Sequence, residues 1–107
     1  MKHFETISEL RAKNEQIGNY FFSRQTMRFF KTKIESAILE GDYFITSETN
    51  HNDTKREFTI RQAKETGEII NNPFDCKFRT KSDAKEYLKE QLYLKSVLGA
   101  DFKTVLI

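Results

Sequence analysis

The spacing of apolar positions changes along the chain from helical to alternating and back to helical. Ile7, Leu10 and Ile17 recur at near-helical intervals. Thr6 precedes them with Glu9 three residues on, the spacing of a capping box, and Gly18 follows as a C′ residue. The spacing predicts a helix over 7–17. Tyr20, Phe21 and Phe22 form an aromatic lead-in to Ser23, which is placed to cap a second helix. In that helix Met27, Phe30 and Ile34 share one face, Arg24, Arg28 and Lys31 share the adjacent one, and Phe29 points away from the basic stripe. Residues 35–40 fit either a continuation of this helix or a strand. The preferred reading is a strand ending in a type II′ hairpin turn at Gly41-Asp42.

From there the pattern is that of a sheet. Residues 42–48 are rich in aromatic and β-branched side chains and predict a strand. Residues 49–54 are entirely polar and predict an exposed loop. Residues 56–62 alternate, with Phe58 and Ile60 on one side and Thr59 and Arg61 on the other. A short third strand is expected at 68–71, and the single proline, Pro73, marks a loop. The helical period then returns. Thr80 and Asp83 form a second capping pair, Ala84, Tyr87, Leu88 and Leu92 lie on one face, and Gly99 ends the helix. The tail Phe102–Ile107 is too apolar for water. Packing within the monomer is the favoured expectation, and a homodimer through Phe102–Ile107 is the other outcome.

These elements define an α+β fold: a small antiparallel sheet of three to four strands packed on a C-terminal helix and preceded by two N-terminal helices. The expected organisation is one domain, 1–107, because 107 residues hold one core. A helix on one face of the sheet leaves the other face open, with Arg61 on it.

Composition narrows the class. No apolar run nears the ~20 residues that span a bilayer, so no membrane role is expected. No secretory signal is visible, and the single cysteine, Cys76, has no partner within the chain. A cytoplasmic location follows as an expectation. Fourteen aromatics (10 Phe, 4 Tyr) are far more than a disordered chain carries.

Charge adds a division. The formal net charge is only +2, yet it is segmented. Residues 21–34 carry four basic groups and no acidic one. Residues 35–54 carry five acidic groups (Glu35, Glu40, Asp42, Glu48, Asp53) and no Lys or Arg. Residues 55–81 carry seven basic and four acidic groups. Blocks of this kind steer partners if they stand on separate faces and cancel if they meet in the fold.

No catalytic or metal-binding constellation is present. His3, His51 and Cys76 match no zinc-ligand spacing, and no Gly-rich phosphate loop occurs. The expectation is a protein that is not an enzyme and needs no cofactor. Two binding surfaces remain. One is the acidic set Glu35, Glu40, Asp42, Glu48 and Asp53, suited to a basic channel on a partner protein. The other is a basic set, Arg24, Arg28, Lys31, Arg61, Lys64 and Arg79, suited to phosphates. The segment Tyr20 to Lys33 has five aromatics and four basic residues in 14 positions, a mixture that stacks bases and holds backbones in single-strand binders. A core also needs aromatics, and most of these five are assigned to it.

Two resemblances bear on this. Three strands followed by a helix opening Phe78-x-Thr80-Lys81-x-x-Ala84 resemble, over residues 42–91, the ethylene-response-factor type of DNA-binding domain. The Trp and Gly-rich turns of that family are missing, so the likeness is one of fold. The blocks 19–30, 43–48 (Tyr43-Phe44-x-Thr46-Ser47-Glu48), 58–61 (Phe58-Thr59-Ile60-Arg61) and 78–84 resemble a family of small uncharacterised proteins carried by phages and mobile elements of bacteria. That resemblance implies no catalytic residues. It implies a stoichiometric inhibitor of a host nucleic-acid-handling protein or ribonucleoprotein complex, in the manner of inhibitors of CRISPR nucleases.

Overall fold

The computed structural model describes residues 2–29, 31–49 and 55–98. In chain order the elements are α1 (Ile7–Gln16), α2 (Arg24–Phe29), β1 (Lys33–Ile34), a 3-10 turn (Glu40–Asp42), β2 (Tyr43–Glu48), β3 (Glu57–Ala63), β4 (Ile69–Ile70), β5 (Lys77–Phe78) and α3 (Lys81–Leu98). The α+β class and the order of two helices, antiparallel sheet and helix are as the sequence predicts.

The helix starts follow the capping chemistry. Thr6 Oγ1 accepts from Glu9 N at 3.1 Å, and the Glu9 carboxylate accepts from Glu5 N at 3.0 Å. Ser23 Oγ accepts from Thr26 N, and Thr80 Oγ1 from Asp83 N at 3.0 Å. Gly18 takes φ +77° past the end of α1, the left-handed position its lack of Cβ allows.

The segment after Ser23 differs from expectation. α2 stops at Phe29, so Met27 and Ile34 do not share a helix face; Ile34 lies in β1. Phe30 lies outside the described residues. Lys31 turns the chain with φ +52°, which ends the helix before the basic stripe reaches a third turn. The strand reading of the following segment holds only for Lys33 and Ile34, which pair with Ser47 and Thr46. The hairpin at 39–43 is not a two-residue turn. Leu39 bridges Tyr43 across three residues, and Gly41 (φ +81°) and Asp42 (φ +61°) are both left-handed.

Asp42 tolerates this conformation because its side chain is engaged. It is 2% exposed, and its Oδ1 accepts from His3 N at 2.7 Å and Phe4 N at 3.2 Å. Its Oδ2 meets His3 Nδ1. The carboxylate thereby pins the N-terminal segment and seats Phe4 in the core.

β2 and β3 form the centre of the sheet, paired from Tyr43↔Gln62 to Glu48↔Glu57. β1 lies beyond β2. The far edge of β3 is shared by β4 at Gln62–Ala63 and by β5 at Phe58–Thr59. The register between those two pairings slips by four residues, so β4 and β5 are one edge strand interrupted by an excursion containing Pro73. Proline has no N–H to give to a ladder, which suits it to this edge. The excursion carries Phe74 onto the α3 side, stacked on Tyr43 (centroids 5.4 Å apart) and edge-on to Tyr87 (5.6 Å).

Both faces of the sheet are covered, and this corrects the expected open face. Ile45, Ile60 and Tyr43 pack with Ala84 and Leu88 of α3. On the opposite face Phe44, Ala63 and Ile69 pack with Phe4, Leu10 and Phe22. The N-terminal layer is fastened by Asn14, which is fully buried. Its Nδ2 donates to Asn19 Oδ1 and Gly67 O, both at 2.8 Å, and its Oδ1 accepts from Phe21 N at 2.8 Å. Gly67 (φ +98°) lets α1 approach this closely: a Cβ there would lie 3.0 Å from the Lys13 backbone carbon. Most of the predicted 49–54 loop, Gly99 and the tail Phe102–Ile107 lie outside the described residues.

Two outcomes are expected. Asp42→Ala leaves the buried Phe4 amide and the partly buried His3 amide without their acceptor and should lower unfolding free energy by roughly 1–3 kcal/mol in a denaturant titration. Asp42→Asn keeps an acceptor and tolerates positive φ, so it should lose clearly less. Burial raises the Tyr43 hydroxyl above its ordinary value of 10.0, a shift the Gln62 hydrogen bond partly offsets. A raised acid favours the protonated folded state. Its contribution is intact below pH 10 and is lost as pH rises through the folded-state value. Tyr43→Phe should therefore flatten the alkaline limb of the stability–pH curve relative to wild type.

Candidate functional site

Among the described residues, the acidic block does not form a face. Asp42 is consumed by the N-terminal segment. Glu35 is half-buried and accepts from Ser47 Oγ at 2.6 Å; that same oxygen accepts from Arg56 Nε at 2.9 Å. Glu48 is paired with Arg61, Nη2 to Oε2 at 3.1 Å. Glu40 is exposed on the 3-10 turn. Asp53 lies outside the described residues. Since Arg56 and Arg61 come from the second basic block, the two charge blocks meet across the β2–β3 hairpin and neutralise each other there.

The basic set divides as well. Arg24 and Arg28 are exposed one helical turn apart on α2, and with Gln25 and Phe29 they line a shallow depression of about 500 Å³. Lys31 is exposed just beyond, and its carbonyl accepts from Arg56 Nη2. No residue of α2 is buried. Of the five aromatics between Tyr20 and Lys33, Phe22 is in the core and Phe21 packs against it. Tyr20 and Phe29 are 56% and 61% exposed; Phe29 shares the depression with Arg24 and Arg28, and Tyr20 lies near Thr26 of α2. Lys64 pairs with Glu68 at 3.4 Å on the β3–β4 turn, and Arg79 is exposed before α3.

Arg61 is 7% exposed and is not on an open face. The N-terminal layer lies over it, with its guanidinium carbon 5.1 Å from the centroid of the Phe21 ring. Nε donates to Thr46 Oγ1 at 2.8 Å, Nη1 to the carbonyl and Oδ1 of Asn71 at 3.1 Å each, and Nη2 to Glu48. Desolvation lowers its pKa below the ordinary guanidinium range, and the Glu48 carboxylate partly offsets this. These bonds form the floor of a cleft of about 450 Å³, walled by Asn19, Tyr20, Phe21, Glu48 and Asn71 and reaching Thr26 of α2. The periodicity of β3 could not show this, because alternation reports which residues share a face and not whether that face is covered. A signal did exist: Phe4, Leu10, Phe21 and Phe22 exceed what one helix-backed sheet face can bury.

A second hollow, about 660 Å³, lies along α3 with Leu39, Leu88 and Leu92 at its base and Lys81, Lys85 and Lys89 among its edges. Among the described residues, no group of three or more His, Cys, Asp or Glu side chains is placed to hold a metal ion. No described helix is long and apolar enough to cross a membrane.

The Arg61–Glu48 pair makes an energetic prediction. Arg61→Ala leaves a largely buried carboxylate without its cation and should cost about 3–5 kcal/mol. Glu48→Gln keeps an acceptor for Nη2 but leaves the still more buried Arg61 guanidinium without its counter-charge, and should cost a comparable amount. Thermal or chemical unfolding of the two variants checks both.

No curated protein and no solved structure matches the chain. Residues 6–89, from the N-cap of α1 into α3, match the model of a family of unknown function, DUF7447, and to that family the chain belongs.

Proposed function

We propose that this chain is a non-enzymatic binding module that takes a single-stranded nucleic acid on the surface formed by α2 and the turns flanking it. The observation that carries this is the exposure of Arg24, Arg28 and Lys31, with the exposed Phe29 ring sharing one depression with both arginines and the exposed Tyr20 ring on the turn that leads into α2. A helix with no buried residue contributes little to a core, and exposed rings among cations cost solubility unless a partner covers them. Cations that hold phosphates and rings that stack bases are the two components single-strand binding needs. Arg79 and Lys64 are secondary contacts on this reading, and Arg61 supports the site from beneath.

The phage-type inhibitor reading fits the same surface. The nucleic acid then belongs to a host ribonucleoprotein in the bacterial cytoplasm, and occupying it blocks the complex stoichiometrically. The acidic set loses its basis as a mimic of nucleic acid, since Asp42, Glu48 and Glu35 are engaged inside the chain.

Fluorescence anisotropy with short single strands tests the reading. Affinity should fall with salt, and each of Arg24→Ala, Arg28→Ala and Lys31→Ala should reduce the slope of log K against log salt by about 0.7. Absence of binding to any DNA or RNA strand at low salt would dispose of it.

A further inference from the structure

In the cleft above Arg61 buried charge, oriented amides and an exposed ring converge, and it adjoins α2 through Thr26. We propose that it takes one unstacked guanine base of the bound single strand, held by the Glu48 carboxylate and covered by Tyr20. This rests on the reading of α2 as the phosphate-binding surface and names what lies beside the phosphates.

The floor of the cleft is unsuited to an anion. Arg61 is neutralised by Glu48 and commits its guanidinium to Thr46, Asn71 and Glu48. At most one of its five N–H groups is left for a ligand. A phosphate is better served by Arg24 and Arg28, which are exposed on α2. The cleft therefore suits a neutral, planar, polar group.

The polar groups define which one. Glu48 keeps 19% of its side chain exposed, and Arg61 Nη2 occupies one of the roughly four acceptor sites of its carboxylate. The oxygens of Asn19 and Asn71 already accept, from Asn14 Nδ2 and Arg61 Nη1. Those bonds orient both amides, so that each leaves an NH₂ group to donate. The cleft thus pairs an acceptor carboxylate with amide donors. Guanine presents two adjacent donors, N1–H and the N2 amine, to a carboxylate, and the acceptors O6 and N7 to amides. Thymine and uracil offer one ring N–H, and cytosine and adenine offer an exocyclic amine with no neighbouring ring N–H. Tyr20, 56% exposed at the mouth, supplies the ring for stacking.

The backbone supports a binding role for Tyr20. It holds φ +57°, a conformation that costs a bulky L-residue energy and that Gly or Asn would adopt at less cost. Its carbonyl accepts from Ser23 N and Thr26 Oγ1, which fixes the turn and with it the position of the ring relative to the cleft.

The test uses the full chain and labelled oligothymidylates of about 12 nucleotides, within the ~4–16 that a small single-strand fold covers. The central position is thymine, guanine, hypoxanthine (which lacks the N2 amine) or abasic. The guanine strand should bind about tenfold tighter than the thymine and abasic strands, with hypoxanthine between. Glu48→Gln should reduce the guanine preference, read as the ratio of guanine-strand to thymine-strand affinity, to about twofold. Tyr20→Gly, which relieves the left-handed strain and so retains the fold, should weaken every base-bearing strand relative to the abasic one. Arg24→Ala should weaken all strands alike. If all strands bind wild type equally, the base assignment is overturned and the phosphate-binding reading stands. A guanine preference that survives Glu48→Gln in a chain still folded at the assay temperature overturns the role of Glu48, and so does hypoxanthine binding wild type as tightly as guanine. Failure of wild type to bind any strand overturns both.

Discussion

The buried amide of Asn14 is the contact on which the arrangement of this protein depends. It donates twice and accepts once, joining three segments: its own helix end at Asn19, the aromatic lead-in at Phe21 and, 53 residues away, the β3–β4 turn at Gly67. A buried amide with these partners is stable only when all three are in place, so it specifies one docking of α1 on the sheet. Gly67 is the matching half of the constraint, because any side chain there meets the α1 backbone. Seated in this way, the N-terminal layer covers Phe44 and brings Phe21 over Arg61. The burial of Arg61, the pairing of Glu48 and the cleft all follow from that placement.

Asp42 performs the corresponding task at the opposite end of the layer. A left-handed aspartate at 2% exposure carries both a backbone cost and a desolvation cost. Both are offset because its carboxylate collects the His3 and Phe4 amides. The N-terminal segment is thus clamped to the sheet at two places by polar groups, with Phe4, Leu10 and Phe22 filling the space between. Apolar packing supplies the driving force, and the two polar contacts fix the position.

Those contacts explain what the sequence could and could not disclose. Local chemistry was legible: the Thr6, Ser23 and Thr80 caps, the strands at 43–48 and 57–63 and the apolar face of α3 all depend on residues within a turn or a strand of one another. The two-sided cover of the sheet was not, because it depends on Asn14 meeting a turn 53 residues away. Its trace was nevertheless present. Asn14 stands four residues after Leu10 and seven after Ile7, on the apolar stripe, and a polar residue on such a stripe needs a buried partner. The segment 35–42 was ambiguous for a different reason. It is held to β2 by single bonds that follow no period, from Glu35 N to Ile45 O, from Ile45 N to Ser36 Oγ and from Leu39 N to Tyr43 O. The interrupted edge strand was missed because a slip of four residues carries no hydrophobic signature.

The charge segmentation ends with an assignment that neither block had alone. The acidic residues and the central arginines of β3 and its approach neutralise one another across the hairpin, as Glu48 with Arg61 and as Glu35 with Arg56 through Ser47. α2 has no such counterpart within its own sequence, since residues 21–34 contain no acid. Long cationic side chains on a helix with no fully buried residue gain little from the fold and are not required by it. The same turn that frees α2 from the core places Tyr20 at the mouth of a neutral polar cleft. Surface cations for a backbone and a charge-compensated hollow for a base therefore arise from one packing decision, the docking of α1 through Asn14.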